Sequence, residues 1–595
     1  MASSGSSAGM RPGRTTGHGD RGVCVQSTGG GRPRPPVEPN PSAVLRRHGV
    51  PPPPIGRRDA ALRPCQSVRV SGTETGRRGG PSHGHRELLG WAAAAAIAVA
   101  AVAAVASSAR SELLFRDGDS MVTTLVLHSL AVGQPQDWAM SSVLFLPELA
   151  VLWLLSLLGL GVNGTLALAG AVNVLALYGA LRVTAGSSSR ARAPIAGALL
   201  ALGAFGLLAA SEWSPSRDAL ELASLLVTTT YYSATVVGVV LAVGLARRAL
   251  EPRGARRDVS RDVSRGTRPS GAALAGLGLV AAASVLTNPL FAAWATVPLG
   301  LVLIVVGVRR REGLWLAAAL VVGSVVGYAA RIPLADLIAN TGASYIDPSQ
   351  WLASLEYYGA LLAERWAAPW GAASLVAVVL LWAWSVAATV LLARRRETGA
   401  VVVAAVGWVM PLLVVVGAVV LGTHAARYLQ PALFAPLLGL AVLPGLLPER
   451  VPAMRPITVV TATVVAAVTA LGLGIPPLVA AATAPDRDLE CVVRWAEDSG
   501  RTGGGQFWTI RLPKTHLADP RGLVQLDNQL RGYAWLVNRD DFAVGEVTFL
   551  VTDAQSPAFE LPAGVSMAEA ELTSCGRYTI ADFGDHPLPI GPLRS

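Results

Sequence analysis

Apolar stretches of about 18 or more residues, long enough to cross a hydrocarbon core of about 30 Å as a helix, recur from residue 88 to residue 480. Backbone groups in lipid find no water partner, so continuous runs of this kind must satisfy their hydrogen bonds internally, as helices. A barrel would need alternating apolar and polar positions instead. The pattern predicts spans at 88–108, 163–184, 194–210, 220–246, 271–287, 290–308, 314–331, 372–393, 400–421, 429–447 and 457–480. One further apolar stretch, 143–161, carries Pro147 and Glu148, and a carboxylate is costly at mid-bilayer depth. It is expected as a helix lying along the outer membrane face, or as a partial insertion.

Charge placement orients this bundle. Arg190 and Arg192, the set from Arg247 to Arg268, Arg309 to Arg311, Arg394 to Arg396, and Arg450 with Arg455 occupy alternate connections. Such connections lie on the cytoplasmic side. Eleven spans put these loops on the side of the basic N-terminal tail, whereas counting 143–161 as a twelfth would break the agreement. The N-terminus is therefore expected inside and the C-terminus outside a plasma membrane. The net charge of +10 is spread over these turns and the tail, and Lys514 is the single lysine. The arginine bias fits a GC-rich genome better than phosphate recognition, so no nucleic-acid partner is expected.

The two ends differ. Residues 1–87 are rich in Gly, Ser, Pro and Arg, with a run at Pro51–Pro54 and no periodic apolar face. They are expected to be disordered, either as a cytoplasmic extension or through a mis-assigned start codon. No signal peptide is expected, because the first apolar stretch is long enough to remain as an anchor. Residues 481–595 are polar and numerous enough for a small folded domain. Turn signals such as Gly503-Gly504-Gly505 separate short β-like runs, which predicts a mixed α/β extracytoplasmic domain. Cys491 and Cys575 are placed to close it as a disulfide in an oxidising compartment. The domain architecture is thus 1–87 tail, 88–480 membrane domain with a first outer loop at 109–162, and 481–595 outer domain. The loops at 109–162 and 331–371 are expected to pack with that domain.

Candidate chemistry gathers on the outer side. Asp117-Gly118-Asp119 directly follows the first span. A solvated Gly turn accounts for that triplet locally, but two carboxylates beside a membrane can also bind a proton, a metal or a polyol. Close carboxylates push one pKa upward, and a general base must reach the proton it takes. A divalent cation would need further oxygen ligands, with Glu148, Glu212, Asp218 and Glu221 as candidates. His424-Ala425-Ala426-Arg427-Tyr428 lies in a short outer loop. It can anchor the interface, or Arg427 can bind a phosphate through its guanidinium fork with His424 or Tyr428 assisting. The aromatic residues between Tyr345 and Trp370 read as an interfacial belt or a sugar-stacking surface. No Walker loop, His-Glu-x-x-His or Cys-x-x-Cys motif is present, and Gly-x-Ser-x-Gly occurs only at residues 5–9 and 80–84, within the Gly/Ser/Pro-rich tail and its edge, so an ATP-driven pump, a zinc protease and a serine hydrolase are unsupported.

The order of a first span, Ser111-Glu112-Leu113-Leu114-Phe115-Arg116-Asp117-Gly118-Asp119-Ser120, then Leu144-Phe145-Leu146-Pro147-Glu148, resembles the class C glycosyltransferases. These are polytopic enzymes of the protein mannosyltransferase or aminoarabinose transferase type that use polyprenyl-phosphate sugars. The likeness covers 88–595 in architecture and the first outer loop in motif. It implies Asp117 as the base acting on an acceptor hydroxyl, Asp119 as its support or a cation ligand, and Arg427, His424, Tyr428 and Glu148 on the substrate. The implied donor is a polyprenyl-phosphate-linked sugar. The implied acceptor is a glycan, glycolipid or protein of the cell envelope. A divalent cation is optional. Two other readings stand beside it: a transporter or flippase of lipid-linked envelope precursors, which would show paired repeats with interrupted helices, and a non-catalytic envelope protein.

Overall fold

The computed structural model describes residues 83–188, 191–251, 269–448 and 456–594. The expectations for 1–82, with its proline run, and for Arg190, Arg450, Arg455 and the arginines between 253 and 268 lie outside the described residues. Residues 83–87, expected in the tail, already belong to the first helix.

That helix is α1 (His83–Ala106). The chain continues through α2 (Ser111–Phe115), α3 (Val122–Ala131), the short strand β1 (Trp138–Ala139) and α4 (Leu146–Ser156). Then follow α5 (Gly161–Thr184), α6 (Pro194–Ala210), α7 (Ser233–Leu250), α8 (Gly271–Thr287), α9 (Val297–Arg309) and α10 (Arg311–Ala329). The bundle ends with α11 (Trp351–Ala367), α12 (Pro369–Arg394), α13 (Thr398–Val420), α14 (Gln430–Phe434), α15 (Leu438–Leu446) and α16 (Pro456–Ala482). Among the described residues nine helical stretches are long and apolar enough to cross a membrane. α6 and α8 are apolar but, at 17 residues each, fall just short of that group.

Helix packing relies on small residues, as expected where lipid offers no hydrophobic drive for association. Gly323 and Gly327 on α10 lie so close to α8 that a Cβ on either would run into the backbone of Gly278 or Ala282.

One stretch meets its expectation and one predicted span differs. The 143–161 stretch yields only the 11-residue α4, about 16 Å of helix at 1.5 Å per residue, too short to cross. The predicted span 220–246 begins late. α7 starts at Ser233, and residues 211–232 form an irregular segment with one 3-10 turn at Ser224–Val227. The segment avoids a helix because Arg110, Glu212 and Glu221 supply the partners its backbone needs. Arg110 donates to the carbonyls of Ser214, Ser216 and Glu221. Glu212 accepts from the Ala223 and Ser224 amides, and Glu221 from those of Trp213 and Ser214.

The C-terminal region is a mixed α/β unit, comprising α17 (Arg487–Ser499), β2 (Gly503–Gln506), α18 (Phe507–His516), β3 (Leu523–Leu526), β4 (Arg531–Tyr533) and β5 (Val537–Asn538). β6 (Glu546–Val547), β7 (Phe549–Thr552), β8 (Glu571–Cys575), β9 (Tyr578–Asp582), β10 (Leu588–Pro589) and β11 (Gly591–Arg594) complete it. Its main sheet runs β11-β4-β3-β2-β7-β9-β8, with β2 parallel to both β3 and β7. Cys491 on α17 and Cys575 on β8 form a disulfide across 84 residues. The first loop joins this unit through β1, which pairs antiparallel with β5, and Met140 bridges to Ile338 in the 331–350 loop. Arg539 of this unit also donates to the Asp336 carbonyl at 3.0 Å, so both large loops pack against the C-terminal unit.

α7 relates the two ends of the bundle. Tyr232 at its start lines a cavity with Asp119 and Arg427, and Arg247 near its end lines another with Arg192, Arg310 and Arg396. Eighteen residues of helix separate these ends, about 27 Å.

Candidate active site

The acidic triplet occupies the turn between α2 and α3. Gly118 is needed there for close approach: an added Cβ would lie 3.0 Å from the Trp508 ring, 3.3 Å from Phe507 and 3.4 Å from the Arg511 side chain. The loop thus lies flat against the start of α18.

The two aspartates have different surroundings. Asp117 is buried. Its Oδ2 accepts from Arg217 Nη1 at 2.7 Å, and its Oδ1 from the Tyr231 hydroxyl at 2.9 Å and the Asp119 amide at 3.1 Å. Burial, aided by the neighbouring Asp119 charge, pushes its pKa up to about 6 against the pull of Arg217 and Tyr231. Asp119 is half-buried and lines a cavity of about 250 Å³. Its carboxylate has no hydrogen-bond partner among the described residues.

Arg217 and Asp218 from the 211–232 segment, and Tyr231 and Tyr232 just before α7, share this cavity with Asp119. Arg427 and Tyr428 enter from the 3-10 turn at Ala426–Leu429. Arg427 Nε donates to the Tyr232 hydroxyl at 3.2 Å, and its terminal nitrogens have no hydrogen bond to the described residues. The C-terminal unit supplies an aromatic wall of Phe507, Trp508, Tyr533 and Trp535. The Arg217 guanidinium lies over the Trp508 ring, 3.3 Å from its centroid, a cation–π contact that holds the arginine toward Asp117.

A second, mainly apolar cavity of about 480 Å³ adjoins the first. Ser142, Val143, Tyr232, Tyr345 and Tyr428 line both. Its far walls are Trp294, Val297, Leu413 and Val414, all from apolar helical stretches.

Three of the residues predicted to act on substrate line neither cavity: Asp117, held behind Asp119 by Arg217 and Tyr231, His424 and Glu148. His424 is exposed and packs edge-to-face on Tyr357 at 5.5 Å, lining neither cavity. Glu148 is buried at the start of α4, where its Oε1 accepts from the Ala234 amide at 3.1 Å. It acts as a distant cap for α7, and burial raises its pKa to about 7. The sequence passed over Tyr231 and Arg217 as site residues. Their signal was the polar island Arg217-Asp218 and the run Thr228–Tyr232, whose hydroxyls read as helix-packing contacts.

A divalent cation would find few donors. No group of three or more His, Cys, Asp or Glu side chains able to hold a metal occurs among the described residues. Asp117 is already compensated by Arg217, which leaves Asp119 and Asp218 facing the cavity. One or two carboxylates with substrate phosphate oxygens can bind magnesium, so such an ion would fit only together with substrate.

No family model matches the chain, and no curated protein matches it.

Proposed function

We propose that the protein is an integral membrane glycosyltransferase that moves a sugar from a polyprenyl-phosphate carrier to a hydroxyl of a cell-envelope acceptor on the outer face. The observation that carries this reading is the adjacency of the two cavities. An unpartnered carboxylate and a guanidinium face the polar one, and an apolar groove opens beside it through Tyr232, Tyr345 and Tyr428. The groove suits a prenyl chain, Arg427 the phosphate, and the polar cavity the sugar and acceptor.

In this reaction Asp119 takes the proton of the acceptor hydroxyl. The acceptor oxygen bonds to the anomeric carbon as the bond from that carbon to the phosphate oxygen breaks. The departing polyprenyl phosphate keeps the electron pair, and Arg427 stabilises its charge. The role of base passes from Asp117 to Asp119, since Asp117 spends its oxygens on Arg217 and Tyr231 and serves to position the loop. The aromatic wall of the C-terminal unit faces the acceptor. A divalent cation held by Asp119, Asp218 and the donor phosphate would supply further charge neutralisation.

The topology that goes with this reading counts α6 and α8 with the nine longer helical stretches. That makes eleven crossings of the plasma membrane, an N-terminus inside and a C-terminus outside. α4 lies along the outer face. The Cys491–Cys575 disulfide supports an oxidising compartment for the C-terminal unit.

The test is turnover of radiolabelled polyprenyl-phosphate hexoses and pentoses by purified protein in lipid. Transfer or release of sugar is expected, with Asp119→Asn lower by about 10²–10⁴-fold, the usual weight of a general base. A panel left intact by well-folded protein would remove the proposal.

A further inference from the structure

The end of the bundle remote from this site carries a cavity of about 310 Å³. Four arginines line it, each from a different connection: Arg192 before α6, Arg247 at the end of α7, Arg310 between α9 and α10, and Arg396 between α12 and α13. Glu251 and Glu397 also line it, so four cationic side chains face two anionic ones.

The arginines are not equally engaged. Arg247 is buried, donating to the Thr184 carbonyl at 2.6 Å and pairing with Glu251 at 3.4 Å. Arg192 is exposed and donates to the carbonyls of Leu447 and Pro448. Arg310 and Arg396 are exposed, and neither guanidinium has a partner among the described residues. The backbone at Arg396 is held at a φ of 61°, a left-handed conformation that costs a non-glycine residue energy. Arg396 occupies the last-turn position that ends α12, where the Glu397 amide donates to the Leu392 carbonyl at 3.2 Å and the Arg396 amide to that of Ala393 at 3.1 Å. Thr398 and Gly399, the first residues of the 23-residue α13, also line the cavity, and no side chain caps that helix. The Thr398 amide donates to the Arg396 carbonyl at 3.1 Å, which leaves that of Gly399 to add to the attraction for an anion.

We propose that this cavity binds a phosphate-bearing anion. Guanidinium forks and helix amides match phosphate oxygens. The cavity lies at the ends of helices long and apolar enough to cross a membrane, where a lipid headgroup would reach it. Basic pockets between helices on the arginine-rich side hold anionic headgroups in this way. The ligand is either such a headgroup or free phosphate, and it would tie together four connections otherwise pushed apart by like charge. This inference does not depend on the transfer reaction.

The experiment melts the full chain in uncharged detergent while titrating phosphatidylglycerol, phosphatidylcholine or inorganic phosphate at constant ionic strength. Stabilisation by phosphatidylglycerol alone supports the proposal and identifies a lipid headgroup. Stabilisation by phosphate as well supports it with a free phosphoryl anion. The combined Arg310→Gln and Arg396→Gly variant is expected to weaken the response by about 30-fold, from about fivefold per arginine at an anionic surface. Arg396→Gly alone also removes the backbone strain, so its melting without anion should not fall, which separates lost binding from lost folding. Arg310→Gln alone, at an exposed side chain, gives a second reading of the same loss. Absence of any anion-specific shift, or an undiminished response in the combined variant, overturns the proposal.

Discussion

Asp117 and Asp119 are two residues apart, yet the structure gives them different partners. The difference comes from Arg217 and Tyr231, about a hundred residues away in the chain, which is why sequence showed the acidic pair but not which member was free. The pH dependence follows from the same contacts. Asp117 has its pKa raised to about 6 by burial and by Asp119, so it gains its charge late, as pH rises through about 6. A group protonated more readily in the native state than in the unfolded chain makes stability fall across that interval as pH rises. Transfer should move the other way, because only ionised Asp117 pairs with Arg217 and holds the loop beside Trp508. Activity is expected to decline as pH drops below about 6. Asp117→Asn fixes the site in its low-pH form. A rate–pH profile of that variant should lie low and flat through this interval, and a retained limb would assign the titration elsewhere.

Elements were legible where apolar runs were long and uninterrupted, and illegible where polar partners came from elsewhere. The 211–232 segment shows this. Its second half reads as the start of a span, because a hydropathy window cannot register that Arg110, only 1% exposed, lies against it. Arg110 Nε also donates to the Ser224 hydroxyl at 2.8 Å, and Glu221 is bonded by Arg365 from α11. Together these contacts hold the segment that presents Arg217, Tyr231 and Tyr232 to the cavity. Arg110→Ala would leave buried carboxylates and carbonyls without their cation, at a cost of about 3–5 kcal/mol. Arg110→Lys should rescue little, since one ammonium cannot serve acceptors arranged around a planar fork. Thermal melting of both variants checks the first expectation. Turnover by whatever folded fraction remains checks whether the segment still presents its tyrosines. Melting of Arg110→Ala at the parent temperature would show the network to be dispensable.

At the scale of the whole molecule, the polar cavity is closed by regions that the chain order keeps far apart. The first loop supplies Asp119, the segment before α7 supplies Arg217 and Tyr231, and the C-terminal unit closes the remaining side. That unit is fastened to the first loop by the β1–β5 pair, by the Arg116–Asp486 ion pair at 2.9 Å, and by α18 against Gly118. Sequence separated bundle from C-terminal unit through composition, but this docking joins residues hundreds of positions apart and left no local signal. Gly118→Val tests the docking directly. Its side chain would occupy the space of Trp508 and Phe507, so α18 must move away or the acidic turn must shift. Both displace Asp119 from Arg427 across the cavity, and misplacement by about 1 Å can cost about 10²-fold in rate. Phe507 and Trp508 belong to the apolar core shared with the bundle, whereas the Cys491–Cys575 disulfide lies in a separate cluster, so disulfide content should stay at the parent level while transfer falls. Faster proteolysis within residues 481–595 would show that the unit has loosened from the loop. Parent-level transfer by this variant would mean that the C-terminal unit covers the cavity without setting its geometry.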